Sequence, residues 1–142
     1  PATALAGQPP WEASILSGAA TFPIKGIAGR ARPFVDSTTA TDFKLYRGFG
    51  GILGMGGKAQ YQSFPSGHTA AAFAFASSIT ASVQRRSPRD AGWLGPLMYG
   101  GAALTGVSRI YNHQHWASDV LMGAGLGTIG GLVVDRWHVR HP

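Results

Sequence analysis

Apolar positions along the chain recur at helical rather than strand spacing. Between Trp11 and Arg32 a helix is expected, with Ile15, Leu16, Ala19, Phe22 and Ile27 available for packing. Pro23 is expected to kink this element, Gly26 and Gly29 to weaken it, and Pro33 to end it. Residues Pro1 to Pro10 read as an irregular lead-in. Thr69 to Gln84 is dominated by alanine and carries Phe73 and Phe75, which predicts a helix packed closely on its neighbours. After a break at Arg85 to Asp90, Trp93 to Val107 forms a second uncharged helix, with Gly95-Pro96 near its start and Gly100-Gly101 inside. A third helix runs from about His115 to Trp137. In it Gly123, Gly127 and Gly131 recur every fourth residue, a glycine-lined face that allows close backbone approach. No stretch of useful length alternates with period two, so the expected fold is all-α, a helical bundle.

The stretch from Asp36 to Phe64 follows no period. Gly48, Gly50, Gly51, Gly54, Gly56 and Gly57 punctuate it, a density that predicts a long loop over the site rather than a packed helix. Phe43, Tyr46, Phe49, Ile52, Leu53 and Met55 make it more apolar than a plain linker. A flexible connection, a lid and a lipid-contacting flap all fit this composition.

At 142 residues the chain has the size of one domain, 1–142, with enough length to bury a core. Lys and Arg number 12 against 6 acidic residues, giving a net charge of +6. Such an excess suits an anionic partner: phosphate, nucleic acid or a membrane surface. Nucleic acid is disfavoured, because the cations form no basic stripe with interleaved aromatics. Arg85, Arg86 and Arg89 are the one cluster, and with Ser87-Pro88 among them they read as a solvated loop. The absence of cysteine excludes disulfides and thiol chemistry. The uncharged run Val120 to Val134, at about 1.5 Å per residue, falls short of the roughly 30 Å of bilayer hydrocarbon. Mean hydropathy is +0.04, low for a set of spanning helices. These values favour a water-soluble bundle, with membrane association as the alternative.

Chemistry concentrates in Ser108-Arg-Ile-Tyr-Asn-His-Gln-His-Trp-Ala-Ser-Asp119. Arg109 supplies a permanent cation able to fork onto phosphate oxygens. With a helix beginning near His115, Asp119 lies one turn on and on the same face. A carboxylate there can accept the His115 Nδ1–H, fix the tautomer and leave Nε2 outward with its lone pair free. An exposed His–Asp pair on a surface helix has the same spacing. Upstream, Pro65-Ser66-Gly67-His68 stands where the free N–H groups of a helix N-terminus are expected. Lys25 and Arg32-Pro33 are seven residues apart, two helical turns that would face both cations the same way.

In this order the three stretches resemble the tripartite signature of the type 2 phosphatidic acid phosphatase superfamily, which also contains bacterial acid phosphatases and vanadium haloperoxidases. Lys-x6-Arg-Pro, Pro-Ser-Gly-His and Ser-Arg-x5-His-x3-Asp are met by Lys25, Arg32, Pro33, Pro65, Ser66, Gly67, His68, Ser108, Arg109, His115 and Asp119. The resemblance implies a helical bundle with its active site at helix ends and the glycine-rich loop between the first and second motifs. It implies that His115 is the nucleophile, forming a phosphohistidine, that Asp119 orients it, and that His68 protonates the leaving oxygen. Lys25, Arg32 and Arg109 would hold the phosphate oxygens, aided by Ser66 and the Gly67 N–H. Three cations would do this without a metal cofactor, and vanadate would act as an inhibitor. The implied activity is hydrolysis of a phosphomonoester or of a lipid phosphate or pyrophosphate.

Two alternatives stay open. One is a haloperoxidase in which the same residues hold vanadate as cofactor, against which the short chain weighs. The other is a non-catalytic anion- or lipid-binding module. An exported, periplasmic place in the cell envelope is favoured, with an integral membrane protein as alternative. Membrane members of the family carry spanning helices ahead of the first motif, and this chain has room for one, so a fragment and a reduced soluble form are both admissible. His113 lacks a carboxylate four residues on and reads as a rim residue. His138 and His141 read as a solvated end, and Tyr111 and Trp116 as packing around the motif.

Overall fold

The computed structural model describes residues 10–35, 37–52 and 59–141. Among them the regular elements are helical: α1 (Pro10–Ala28), the short α2 (Gly48–Ile52), a 3₁₀ turn (Ala59–Tyr61), α3 (Gly67–Arg86), α4 (Pro88–Tyr111) and α5 (Ala117–Arg140). One isolated antiparallel bridge joins Arg30 to Phe43. The all-α bundle read from the sequence is the fold observed.

α1 stops four residues earlier than Pro33 would dictate. Gly29 adopts a left-handed backbone (φ 54°), and its N–H closes the helix on the Lys25 carbonyl at 3.1 Å. Arg32 is therefore off the helix, and the two-turn argument for its direction fails. It reaches the site on an extended segment whose backbone is held by Gln60, the Arg32 N–H donating to that carbonyl at 2.8 Å. The break between the next helices is also shorter than expected: Ser87 alone separates α3 from α4, and Pro88 opens α4 at a position needing no N–H donor. α5, expected from about His115, begins at Ala117, leaving His115 in the preceding turn.

The described part of the glycine-rich stretch is braced against the end of α1 rather than hanging over the site. The Lys44 N–H donates to the Gly29 carbonyl at 3.2 Å and the Tyr46 N–H to the Ile27 carbonyl at 2.9 Å. A Cβ on Gly48 would stand 2.0 Å from the Lys25 carbonyl oxygen, and one on Gly26 2.4 Å from the Phe49 ring. Those two glycines are there for contact. Leu53, Gly54, Met55, Gly56 and Gly57 lie outside the described residues.

α3 is the central helix, packed on α5, α4 and α1. A Cβ on Gly123, Gly127 or Gly131 would fall 2.5, 2.1 or 2.4 Å from the carbonyl oxygens of Ser66, Ala70 and Ala74 respectively. The glycine face of α5 thus lies directly on the α3 backbone, and the ascending order on both shows that the two helices run parallel. α1 and α4 run the other way, Gly18 lying near Ala71 and Gly67 near Thr21, and Gly95 near Thr80 and Gly106 near Thr69. One end of the bundle therefore gathers the N-termini of α3 and α5 with the C-termini of α1 and α4. At the opposite end Arg85, read as a loop cation, is instead committed to the buried Asp135, with an Nη2–Oδ1 distance of 2.7 Å and a second contact through Nη1.

The interior is made of small side chains: Ala13, Ala70, Ala74, Ala76 and Ala102, with Ser17, Ser77, Ser78, Thr21 and Thr69. Large apolar side chains lie outside, among them Ile15, Trp93, Leu97, Leu104, Leu121 and Ile129, each at least 59 % exposed. α5 is long and apolar enough to cross a membrane, and only 22 % of its most apolar window is buried. Mean hydropathy understates this surface because several of the serines, threonines and glycines that dilute it are inside, among them Ser17, Ser77, Ser78, Thr21, Thr69, Gly123, Gly127 and Gly131.

Candidate active site

At the end where four helix termini meet is a cavity of about 320 Å³ lined by Lys25, Arg32, Gly67, His68 and His115, with Thr21, Phe22 and Gln62. Five of the eight residues singled out from the sequence share it. Each arrives by a different local device.

His115 is 2 % exposed and sits in the turn between α4 and α5, its N–H donating to the Arg109 carbonyl at 3.3 Å. Its Nδ1 lies 2.7 Å from the backbone oxygen of Ser63. A carbonyl only accepts, so Nδ1 carries the hydrogen and the Nε2 lone pair is left free. The Asp119 carboxylate was expected in that role. It stands 3.7 Å from Nδ1, too far for a hydrogen bond, because His115 precedes the helix instead of beginning it. Asp119, fully buried, instead accepts the Trp116 N–H at 2.8 Å, the Ser63 hydroxyl and the Arg30 guanidinium. It contributes negative charge beside the ring and fixes the turn that carries it.

Burial is the main cause that lowers the His115 pKa below the ordinary histidine value; Asp119 opposes it, and the Lys25 and Arg32 charges add to it. The ring is therefore held neutral to lower pH than a free histidine, as an imidazole nucleophile needs. In an NMR titration of the ring nitrogens, the midpoint for His115 should fall below 6.5, the neutral ring carrying its proton on Nδ1. A midpoint above 6.5 would mean that Asp119, not burial, governs the ring. The sign for stability follows: the unfolded chain binds this proton more readily, so stability tied to His115 is present above pH 6.5 and is lost as pH falls through the folded value.

The Lys25 ammonium is 7 % exposed and donates to the carbonyls of Pro65 at 2.5 Å and Gln62 at 3.0 Å. Two of its three protons are thereby aimed, leaving one for a bound anion. Arg32 donates through Nε to the Ala59 carbonyl at 2.8 Å and through Nη1 to the Gln114 side chain at 2.7 Å. Its pKa is lowered by burial, with Arg109 adding to the effect and Asp119 opposing it, yet a guanidinium stays charged. His68 is exposed at the mouth, within reach of the charges of Arg109, Lys25 and Arg32. A Cβ on Gly67 would come within 3.2 Å of the Thr21 hydroxyl and 3.7 Å of the Lys25 side chain, so glycine keeps this N-terminal turn open.

Three expected site residues lie beside the cavity rather than on its wall. Ser66 is fully buried, and its hydroxyl is turned inward as the N-cap of α3, accepting the Thr69 hydroxyl at 2.9 Å. Arg109 holds the turn of His115 through its carbonyl, while its charge acts on Arg32 and His68. Asp119 lies beneath His115 as described. Sequence reasoning missed two residues. Ser63 offers its carbonyl to His115 and its hydroxyl to Asp119. Arg30, 5 % exposed, lies inside the Lys25–Arg32 spacer, grips Asp119 and Ser118, and stands over the Phe43 and Trp116 rings.

The other expectations divide. His113 is exposed, in a turn with φ 53°, as a rim residue should be. His138 is not merely solvated: its Nε2 lies 3.4 Å from Glu12, tying α5 to α1. Tyr111 is 82 % exposed and packs nothing, whereas the Trp116 indole N–H donates to the Ala31 carbonyl at 2.9 Å.

Two parallel helix N-termini, two lining cations and two histidines, one with its Nδ1 held by a carbonyl, thus surround one cavity in an all-α protein, a setting that favours an anion. The chain belongs to the PAP2 superfamily, whose sequence profile matches residues 12–142. It is 49 % identical over 69 residues to lipid A 1-phosphatase of Porphyromonas gingivalis, covering 49 % of this chain and 15 % of that protein. It is 33 % identical over 144 residues to lipid phosphate phosphatase 1 of Arabidopsis thaliana, covering 92 % of this chain and 43 % of that protein. The chain thus spans less than half the length of either relative. No solved structure matches it.

Proposed function

We propose that the protein hydrolyses the phosphate ester of a lipid through a phosphohistidine, without a metal. The observation that carries this is the His115 ring: Nδ1–H is committed to the Ser63 carbonyl, so Nε2 presents its lone pair to a cavity lined by Lys25 and Arg32. Nε2 attacks phosphorus, the bond to the ester oxygen breaks, and His68 gives that oxygen a proton as it leaves. His68, now neutral, takes a proton from water. The hydroxide attacks phosphorus, the P–N bond breaks, and phosphate departs. Lys25, Arg32, Arg109 and the N-terminal N–H groups of α3 stabilise the charge on the transferred group. The names of the two relatives, both lipid phosphatases, support the substrate class.

A hydrolysis panel tests this. An aryl phosphate, phosphatidic acid and an isoprenyl pyrophosphate should release phosphate at rates unchanged by chelators, and vanadate should inhibit competitively. Loss of activity on chelation, restored by a divalent metal, would overturn the mechanism.

The protein works in a membrane, its large exposed apolar side chains against lipid and the site end at the water boundary. Small residues inside and large apolar residues outside are the packing that lipid favours. It should remain with membranes through an alkaline carbonate wash, and release into the supernatant would show a soluble protein.

A further inference from the structure

A second cavity, of about 420 Å³, opens on the side of the bundle where α1 and α4 flank α3. Ala71 lines both this cavity and the catalytic one, so the two adjoin at that residue of α3. Helix register carries the groove away from the phosphate end one turn at a time. On α3, His68 is followed by Ala71, Ala72 and Phe75; on α1, Lys25 is preceded by Thr21, Gly18 and Ser14; on α4, Arg109 is preceded by Thr105, Gly101 and Leu97. The seven-residue step from His68 to Phe75 spans roughly 10 Å.

The groove surface is apolar although hydroxyls line it. Ser14 donates to the Ala71 carbonyl at 3.1 Å and Thr105 to the Gly101 carbonyl at 3.1 Å, so both are occupied within their own helices or the next. Alanine and glycine line it alongside Phe75, Leu97 and Met98. On α3 it begins at Ala71, about one helical turn beyond His68, which would protonate the departing oxygen.

We propose that this groove binds the first stretch of one hydrocarbon chain of the substrate, entering from the ester oxygen and running along α3 between α1 and α4. The inference rests on the lipid-phosphatase reading of the same site and adds where the leaving group lies. Ala71, Ala72 and Gly101 then set the width of chain accepted, and chain beyond about Phe75 passes out of the groove.

The test uses the purified protein in lipid nanodiscs and monomeric alkyl phosphates from ethyl to octyl. For the unmodified protein kcat/KM should rise roughly twofold per added methylene, less than the fourfold or so of complete burial because the groove is open on one side. Gly101→Leu puts a side chain into the groove and should cut the octyl-to-ethyl ratio at least tenfold. Gly100→Leu, on the same helix but off the groove, should keep that ratio. An added Cβ meets nothing within 4 Å at either glycine, and leucine favours a helix interior over glycine, so both variants fold. An unchanged ratio in Gly101→Leu, or an equal fall in both variants, overturns the groove. A series flat from ethyl to octyl, with measurable turnover of ethyl phosphate, overturns the groove alone. No turnover of any phosphate ester overturns the hydrolase reading, and the groove with it.

Discussion

Replacing His115 by alanine abolishes phosphoenzyme formation on every substrate, whatever the leaving group. The side chain is the only histidine in the cavity with its Nδ1 held by a fixed acceptor and its Nε2 left over, and alanine leaves nothing to bond to phosphorus. A positioned nucleophile corresponds to an effective molarity of 10⁵ M or more, so turnover should drop on the order of 10⁵-fold. The readout is acid-labile, base-stable phosphate on the protein after rapid quench. Phosphate trapped on His115→Ala in unmodified yield would assign the nucleophile elsewhere. The same variant also separates catalysis from folding, because it removes one hydrogen bond to Ser63 while Asp119 keeps its contacts to Arg30, Ser63 and Trp116.

His68→Ala should divide substrates by leaving group instead of silencing them all. The nucleophile and the cations remain, and what is lost is the proton for the departing oxygen. An aryl phosphate leaves as a weakly basic phenolate and hardly needs it, so the variant still forms phosphoenzyme from that substrate. An alkyl or lipid phosphate leaves as a strongly basic alkoxide, and its rate should fall by roughly 10²–10⁴-fold, the usual worth of general acid catalysis. Water attack on the phosphoenzyme also loses its base, so phosphoenzyme from the aryl substrate should accumulate. Equal losses on aryl and alkyl substrates would remove His68 from the role of acid. The exposed position of His68 at the mouth fits a group that meets the leaving side of the ester and then solvent.

Much of this site was legible because its chemistry needs residue types that stand out in a sequence. Two histidines, a lysine and arginines at fixed offsets, with a glycine that keeps one helix start open, identify themselves before any fold is known. Their supports do not. Ser63 acts through a backbone carbonyl, which every residue possesses, so no letter in the sequence marks it. Arg30 and Arg32 are two arginines with one residue between them, and only the end of α1 at Gly29 decides that Arg30 turns to Asp119 while Arg32 turns to the cavity. The Nδ1–H expected to go to Asp119 goes to the Ser63 carbonyl for a similar reason: the helix begins two residues later than expected, and the carboxylate stands 3.7 Å from the ring as its charge partner. The all-α class followed from period, and the glycine face of α5 from a four-residue repeat. Whether the bundle faces water or lipid did not follow from mean hydropathy, since an average cannot tell an inward serine from an outward one.

The contact of α5 on α3 works like a rack with teeth one helical turn apart. Each tooth is a carbonyl of α3 seated where α5 has no Cβ, at Gly123, Gly127 and Gly131 in succession. A side chain at any of these three positions would collide with the carbonyl it faces, so the close contact of the two helices depends on all three glycines. His68 rides on one member of this pair and the turn bearing His115 is fixed to the start of the other. The separation of these two histidines is therefore set by how the two helix backbones are seated on each other.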